Sequence, residues 1–170
     1  MTIADQIRQI RRVARIAERA AVKPIPILTG DFVPTLVGSG TAGTFTYTAN
    51  STIVEWTRIG NRLFFNGRIL ITAIAVAPTL NMTINGFPYT AVADSNMAIA
   101  GGGQFSLWQF NVAAGYTHVA GTFLNTLSTM AITKNGDNLA SANVQGSEVA
   151  LINAGGTTID LRFSGQYRVA

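Results

Sequence analysis

The sequence predicts a mainly β protein, an antiparallel β-sandwich of jelly-roll type, preceded by an N-terminal α-helix and a Pro-rich extended arm. Three observations carry this. From about residue 35 onward, short runs of Val, Ile, Thr and aromatic residues alternate with Gly, Asn and Ser turns. Residues 2–22 instead place apolar residues at helical spacing. Pro24, Pro26 and Pro34 separate the two textures.

Composition narrows the class further. The chain of 170 residues suits one domain with an appendage. Only 12% of it is charged while 48% is hydrophobic, which calls for a surface rich in Thr, Ser, Asn and Gly, for burial of part of it between subunits, or for both. Residues 1–23 hold six basic side chains (Arg8, Arg11, Arg12, Arg15, Arg19 and Lys23) against Asp5 and Glu18. Six minus two gives the whole net charge of +4, so the basic character belongs to the N-terminal segment. The absence of cysteine removes disulfides and thiolate chemistry. Arginines interrupt every apolar stretch of residues 1–22, which therefore do not read as a signal peptide.

Each element has its own reason. In the helix, Thr2 and Asp5 form a weak capping box. Ile3, Ile7, Ile10, Ala14, Ala17 and Ala21 alternate spacings of four and three, a heptad seam that calls for copies of itself or a docking surface. The prolines then force an extended strap. Strands are expected at 43–48, 53–59, 62–71, 80–84, 91–93, 97–101, 104–111, 118–123, 130–133, 148–153 and 158–168. Asn135-Gly136-Asp137 reads as a turn, Asn85-Gly86 as a strand end, and Gly101-Gly102-Gly103 as a turn. Gly67 is read as a bulge or close contact inside one long strand. The domain division is 1–34 for the anchoring and trimerisation arm and 35–170 for the head.

A set of motifs then appears in order: Trp56-Thr57-Arg58-Ile59-Gly60-Asn61, Asn66-Gly67-Arg68-Ile69, Gly86-Phe87-Pro88-Tyr89, and a final Gly165-Gln166-Tyr167. Across roughly residues 35–170 this resembles the β-sandwich head module of tailed-phage virion proteins, found among tail fibres and capsid fibres or decorations. The common form there is Tyr-Thr-Arg-Ile-Gly-Asn, Gly-Arg-Ile, Gly-Leu-Pro-Phe and Gly-Thr-Tyr. Trp56, Phe87 and Tyr89 depart from it but keep apolar bulk. The resemblance implies a homotrimeric structural module, with Trp56, Arg58, Gly60, Asn61, Gly67, Arg68, Gly86 and Pro88 as structural positions. Ile59-Gly60-Asn61 also reads as a tight turn, and Arg58 and Arg68 are expected to snorkel or to pair with a carboxylate such as Glu55.

Catalytic chemistry is not expected. His118 is the one histidine and reads as a structural or surface residue, so no ordinary zinc set forms within one chain. The run 38–43 matches a dinucleotide fingerprint formally, but alternating Phe45 and Tyr47 follow it, so it reads as a loop. The carboxylates beyond the arm (Asp31, Glu55, Asp94, Asp137, Glu148 and Asp160) form no close pair in sequence. Trp108 and Tyr116 are the candidate receptor or interface aromatics.

The expected function is a homotrimeric capsid decoration, or cement, protein on the outer surface of a virion. Its helix would grip the major capsid protein through Arg8, Arg11, Arg12, Arg15 and Arg19. The alternative is a short tail-fibre or tail-tip protein that recognises a host surface glycan. No cofactor, metal, small-molecule substrate, membrane or nucleic acid is expected as a partner.

Overall fold

The computed structural model describes residues 2–20, 25–92, 99–107, 114–124, 126–136, 139–149 and 158–170. Helix α1 spans Ile3–Ala20. Its capping box is reciprocal: the Asp5 N–H donates to Thr2 Oγ1 (3.3 Å) and the Thr2 N–H to Asp5 Oδ2 (3.0 Å). The Thr2 hydroxyl also donates to Asp5 Oδ2 (2.6 Å), and this bond first, then that from the Thr2 N–H, holds the Asp5 carboxyl below its ordinary pKa.

The strands are β1 (Ile27–Phe32), β2 (Thr35–Gly38), β3 (Thr44–Tyr47), β4 (Ile53–Ile59), β5 (Arg62–Val76) and β6 (Met82–Asn85). They continue as β7 (Ile99–Leu107), β8 (Tyr116–Leu124), β9 (Met130–Gly136), β10 (Leu139–Asn143) and β11 (Ile159–Arg168). All belong to one antiparallel sheet, ordered β1-β4-β5-β11-β7-β8-β9-β6-β2, with β3 also on β5 and β10 on β9.

Strict alternation builds the core. On β5, Leu63, Phe65, Ile69 and Ile71 are buried, and on β11 Ile159, Leu161, Phe163 and Tyr167 answer them. The sheet must curl to enclose these side chains. β5 and β8 lie three strand steps apart, roughly 14 Å in a flat sheet. Yet the rings of Phe65 and Phe123, one on each, are 5.7 Å apart. Tyr167 stacks on Phe123 at 4.1 Å, and Phe87 meets Phe123 edge-on at 4.7 Å. Such ring pairs add about 0.5–1.5 kcal/mol each beyond the area they bury. The Tyr167 hydroxyl donates to the Tyr89 carbonyl (2.9 Å), while burial pushes its phenol well above the ordinary pKa.

The mainly β, antiparallel expectation is met. The connectivity is one curled sheet, and the jelly-roll assignment does not follow from it. Several elements differ from the sequence reading. Residues 27–32 of the extended strap are strand β1, because Pro26 and Pro34 flank this run without interrupting it and leave its N–H groups free to pair with β4. β2 and β10 were not expected as strands. Two expected strands, 97–101 and 104–111, are instead the single strand β7 over the described residues 99–107, with Gly101, Gly102 and Gly103 in its middle. A Cβ at Gly101 would lie 2.5 Å from the Tyr167 Cα, and one at Gly165 2.5 Å from the Gly103 Cα. These glycines thus serve close approach of β7 and β11, and they do not make a turn. Of the strand expected at 91–93, Ala91 makes a single bridge to Val169. Residues 146–149 form a helical turn where a strand from 148 was expected. The Glu148 carboxylate accepts the Gln145 N–H (2.7 Å), which caps that turn.

Candidate functional site

The helix presents its apolar stripe to solvent. Ile3 is 77% exposed, Ile10 68% and Ile7 46%. Ala14 is exposed as well, and so are Arg8, Arg11, Arg12 and Arg15. Ala17 and Arg19 lie on the helix, but their side chains fall outside the described part, as does Ala21. The described seam runs along one face, with Arg8, Arg12 and Arg15 on the opposite side and Arg11 beside it, because residues three and four apart share a helix face.

The motif around Gly60 sits at the β4–β5 turn, whereas Gly67, Arg68 and Gly86 lie toward the far end of β4. Gly60 (φ 58°) and Asn61 form the two-residue turn between β4 and β5, and Ile59 faces Arg62 across it. A positive φ at the first turn residue is the glycine-first hairpin pattern. The Asn61 carbonyl accepts the Val169 N–H (2.9 Å), tying the C-terminal strand to this turn. Arg58 donates from Nε to the Gly60 carbonyl (2.8 Å), and its guanidinium lies 4.6 Å over the Tyr89 ring. Tyr89 meets Trp56 edge-on at 5.5 Å. Gly30 faces Trp56 on β1, where a Cβ would come within 2.7 Å of the indole. Gly86 (φ 108°) ends β6, as expected, and turns Phe87 into the core while Pro88 stays exposed after a trans bond. Gly67 lies inside β5 as a close contact, since a Cβ there would be 2.5 Å from Val54 Cγ2. These residues therefore position strands.

Arg68 does not pair with Glu55. It donates Nε and Nη2 to the two carboxylate oxygens of Asp160 on β11, both at 2.8 Å. Arg162 adds a third bond at 3.1 Å. The Arg68 bonds chiefly, and Arg162 after them, hold the Asp160 carboxyl below its ordinary pKa against the opposing effect of burial. A second pair is buried: Lys134 on β9 contacts Glu148 at 2.6 Å, and its ammonium lies 4.7 Å over the Tyr116 ring. Both partners are over nine-tenths buried. Tyr116 is thus engaged by its own domain, also through its hydroxyl to the Ala140 carbonyl (3.5 Å). Trp108 lies outside the described residues. His118 is exposed on β8, with Nδ1 2.8 Å from Thr117 Oγ1.

The outer face of the sheet holds what the sequence did not reveal. Asp31 on β1 and Glu55 on β4 stand directly opposite each other. Both are exposed, and no ion pair reaches either among the described residues. Their cross-strand geometry sets two carboxylates side by side, but neither has the apolar enclosure that separates a general acid from a base. Next to them Phe64 is exposed on β5. Grooves of about 670 and 710 Å³ lie over β1, β4 and β5 and over β7, β8 and β11. The second is floored by Gly101, Gly102, Gly103 and Gly165 and edged by Arg62, whose Nη1 donates to Gln166 Oε1 (3.0 Å). Among the described residues no group of three or more His, Cys, Asp or Glu side chains could hold a metal ion. No described helix is long and apolar enough to cross a membrane.

No family model matches the chain, and no curated protein matches it. Among solved structures it is similar to the crystal structure of the Dettilon tailspike protein (gp208), with a TM-score of 0.63 and 16% sequence identity. The match covers 85% of this chain and 24% of that one. At that identity the likeness establishes a shared fold: this chain folds like about a quarter of the tailspike.

Proposed function

We propose that this chain is a structural protein of a tailed-phage virion surface, a homotrimer that presents its β heads on a bundle of N-terminal helices and catalyses no reaction. The observation that carries the reading is the likeness of this chain to part of a phage tailspike. The helix supports it separately. Ile3, Ile7 and Ile10 occupy both seam positions of a heptad, a choice that favours three or four strands over two. A stripe so exposed on a lone helix lacks the burial that would hold it folded, and other copies supply that burial. The arginines off the seam remain free to meet carboxylates on the structure that carries the trimer.

Attachment at the tail is the reading we prefer, because the fold neighbour is a tailspike. Decoration of the capsid shell is the second reading, favoured by the arginine-rich outer side of α1, which fits a docking arm. Quantitative mass spectrometry of purified particles separates them. A few dozen copies or fewer, on the order of one trimer per tail appendage, is the expected result. Abundance comparable to the major capsid protein replaces the tail with the shell. Absence from particles overturns the virion reading. Light scattering of the purified chain at micromolar concentration should give the mass of three chains, and a single-chain mass overturns the trimer.

A further inference from the structure

We infer that the outer face of β1, β4, β5 and β11 is the surface by which one head packs against the next copy of this chain, in a head-to-tail ring. This inference rests on the trimer reading above and names the contact it would use.

Register defines the face row by row. Ile27, Ile59, Arg62 and Arg168 form the first row. Thr29, Thr57, Phe64 and Gln166 form the second. Asp31, Glu55, Asn66 and Ser164 form the third, and Ile53, Arg68 and Arg162 the fourth. Two properties of this grid point to a partner.

The first is its charge, which is split by strand. The half on β1 and β4 carries Asp31 and Glu55 and no basic side chain. The half on β5 and β11 carries four arginines (62, 68, 162 and 168) and Asp160. Like charges directly opposite each other destabilise a sheet, and Asp31 with Glu55 is such a pair. A cationic surface laid over them would relieve that cost. The same face supplies one on its other half.

The second is apolar exposure. Ile27, Ile53, Ile59 and Phe64 all face solvent here, as Leu28, Val33, Val76, Leu80, Leu124, Leu127 and Leu139 do elsewhere on the head. They lie between and around the charged columns, so a surface that pairs the charges also covers the apolar groups. Interfaces commonly combine such an apolar centre with complementary charge.

Geometry favours a copy as the occupant. The acidic half of one head is complementary in charge to the basic half of another. Setting the acidic half of each head on the basic half of the next gives a heterologous contact, and a threefold rotation closes it. In sequence, helix α1 ends at Ala20 and this face begins at Ile27, with residues 21–26 between. Helices joined in a bundle therefore bring the same faces near one another.

The test uses the full chain and charge reversal. One variant carries Asp31→Arg with Glu55→Arg, another Arg62→Glu with Arg168→Glu, and a third all four changes. Thermal melts and far-UV circular dichroism check folding. The dissociation midpoint on dilution is read by light scattering. Each double reversal should raise that midpoint about tenfold or more, the size of a lost interfacial charge pair. The fourfold swap should restore it to within about threefold. A wild-type trimer whose double reversals dissociate as it does overturns this inference and leaves the trimer reading standing. Weakening by both doubles without rescue by the swap also overturns it, because the two halves are then not each other's partners. A wild-type chain that is a monomer removes the trimer reading, and this inference with it. Should a reversal not fold, Asp31→Cys with Ser164→Cys serves in the cysteine-free chain. Those sites are three strand steps apart, roughly 14 Å in a flat sheet, too far for a disulfide within one copy. Covalent trimers on a non-reducing gel are expected, and monomers alone overturn the inference.

Discussion

The head and the helix use the same amino acid in opposite ways. Ile69, Ile71, Ile84, Ile132 and Ile159 in the head are fully buried, whereas Ile3 and Ile10 in α1 stand more than two-thirds exposed. Burying such a side chain contributes about 1.5–3 kcal/mol. The head therefore carries its own stabilisation, and the helix carries an unmet one. Apolar content alone does not tell these regions apart. What does is whether the fold supplies the opposite wall: in the head, curling of the sheet supplies it.

That contrast can be broken from either side. Phe123→Ala should have the largest effect. It removes the ring that meets Phe65, Phe87 and Tyr167, and should cost about 3–5 kcal/mol in a denaturant melt. Glu148→Ala follows at about 3 kcal/mol, because the buried Lys134 side chain loses its carboxylate partner. Lys134→Met with Glu148→Leu should recover most of that loss, and a double-mutant cycle checks it. Asp160→Asn should cost about 1 kcal/mol, since the Arg68 side chain is over a third exposed and solvent screens the pair. Its pH dependence has a definite sign. The folded pKa of Asp160 lies below the ordinary one, so this contribution is complete at neutral pH. It fades as the pH falls through the ordinary aspartate value near 3.9 toward the lowered folded value. A urea titration series between pH 7 and pH 2 should show a shallower acid loss in the Asn variant. Smallest for the head is Ile7→Asp with Ile10→Asp. Head melting should move by less than about 0.5 kcal/mol, while light scattering should fall from the trimer to the single-chain mass.

Local features were legible in the sequence because they are local. The β4–β5 hairpin reads from Gly60 and the alternation beside it, and α1 from its capping box and its period. Gly67 and Gly86 also behave as read. What escaped depends on neighbours far along the chain. Arg68 finds Asp160 ninety-two residues away, and nothing near Arg68 announces it. Lys134 and Glu148 sit fourteen residues apart and meet only because the turn at 146–149 folds back onto β9. In sequence the triple glycine reads as a turn because close approach of two backbones leaves the same signature as a bend. β1 was read as free strap because its flanking prolines weigh more in a pattern than its six pairing residues do. The Asp31–Glu55 juxtaposition needed that pairing and so was hidden with it.

Strand β1 also has a mechanical meaning. It is the chain's passage from helix to head, and it lies at one end of the sheet with all six residues laddered to β4. Ladder hydrogen bonds in an antiparallel pair run across the strands. Tension applied along the axis of β1 would therefore load these bonds together, in shear, before any could open alone. The same strand pulled sideways would unzip one bond at a time.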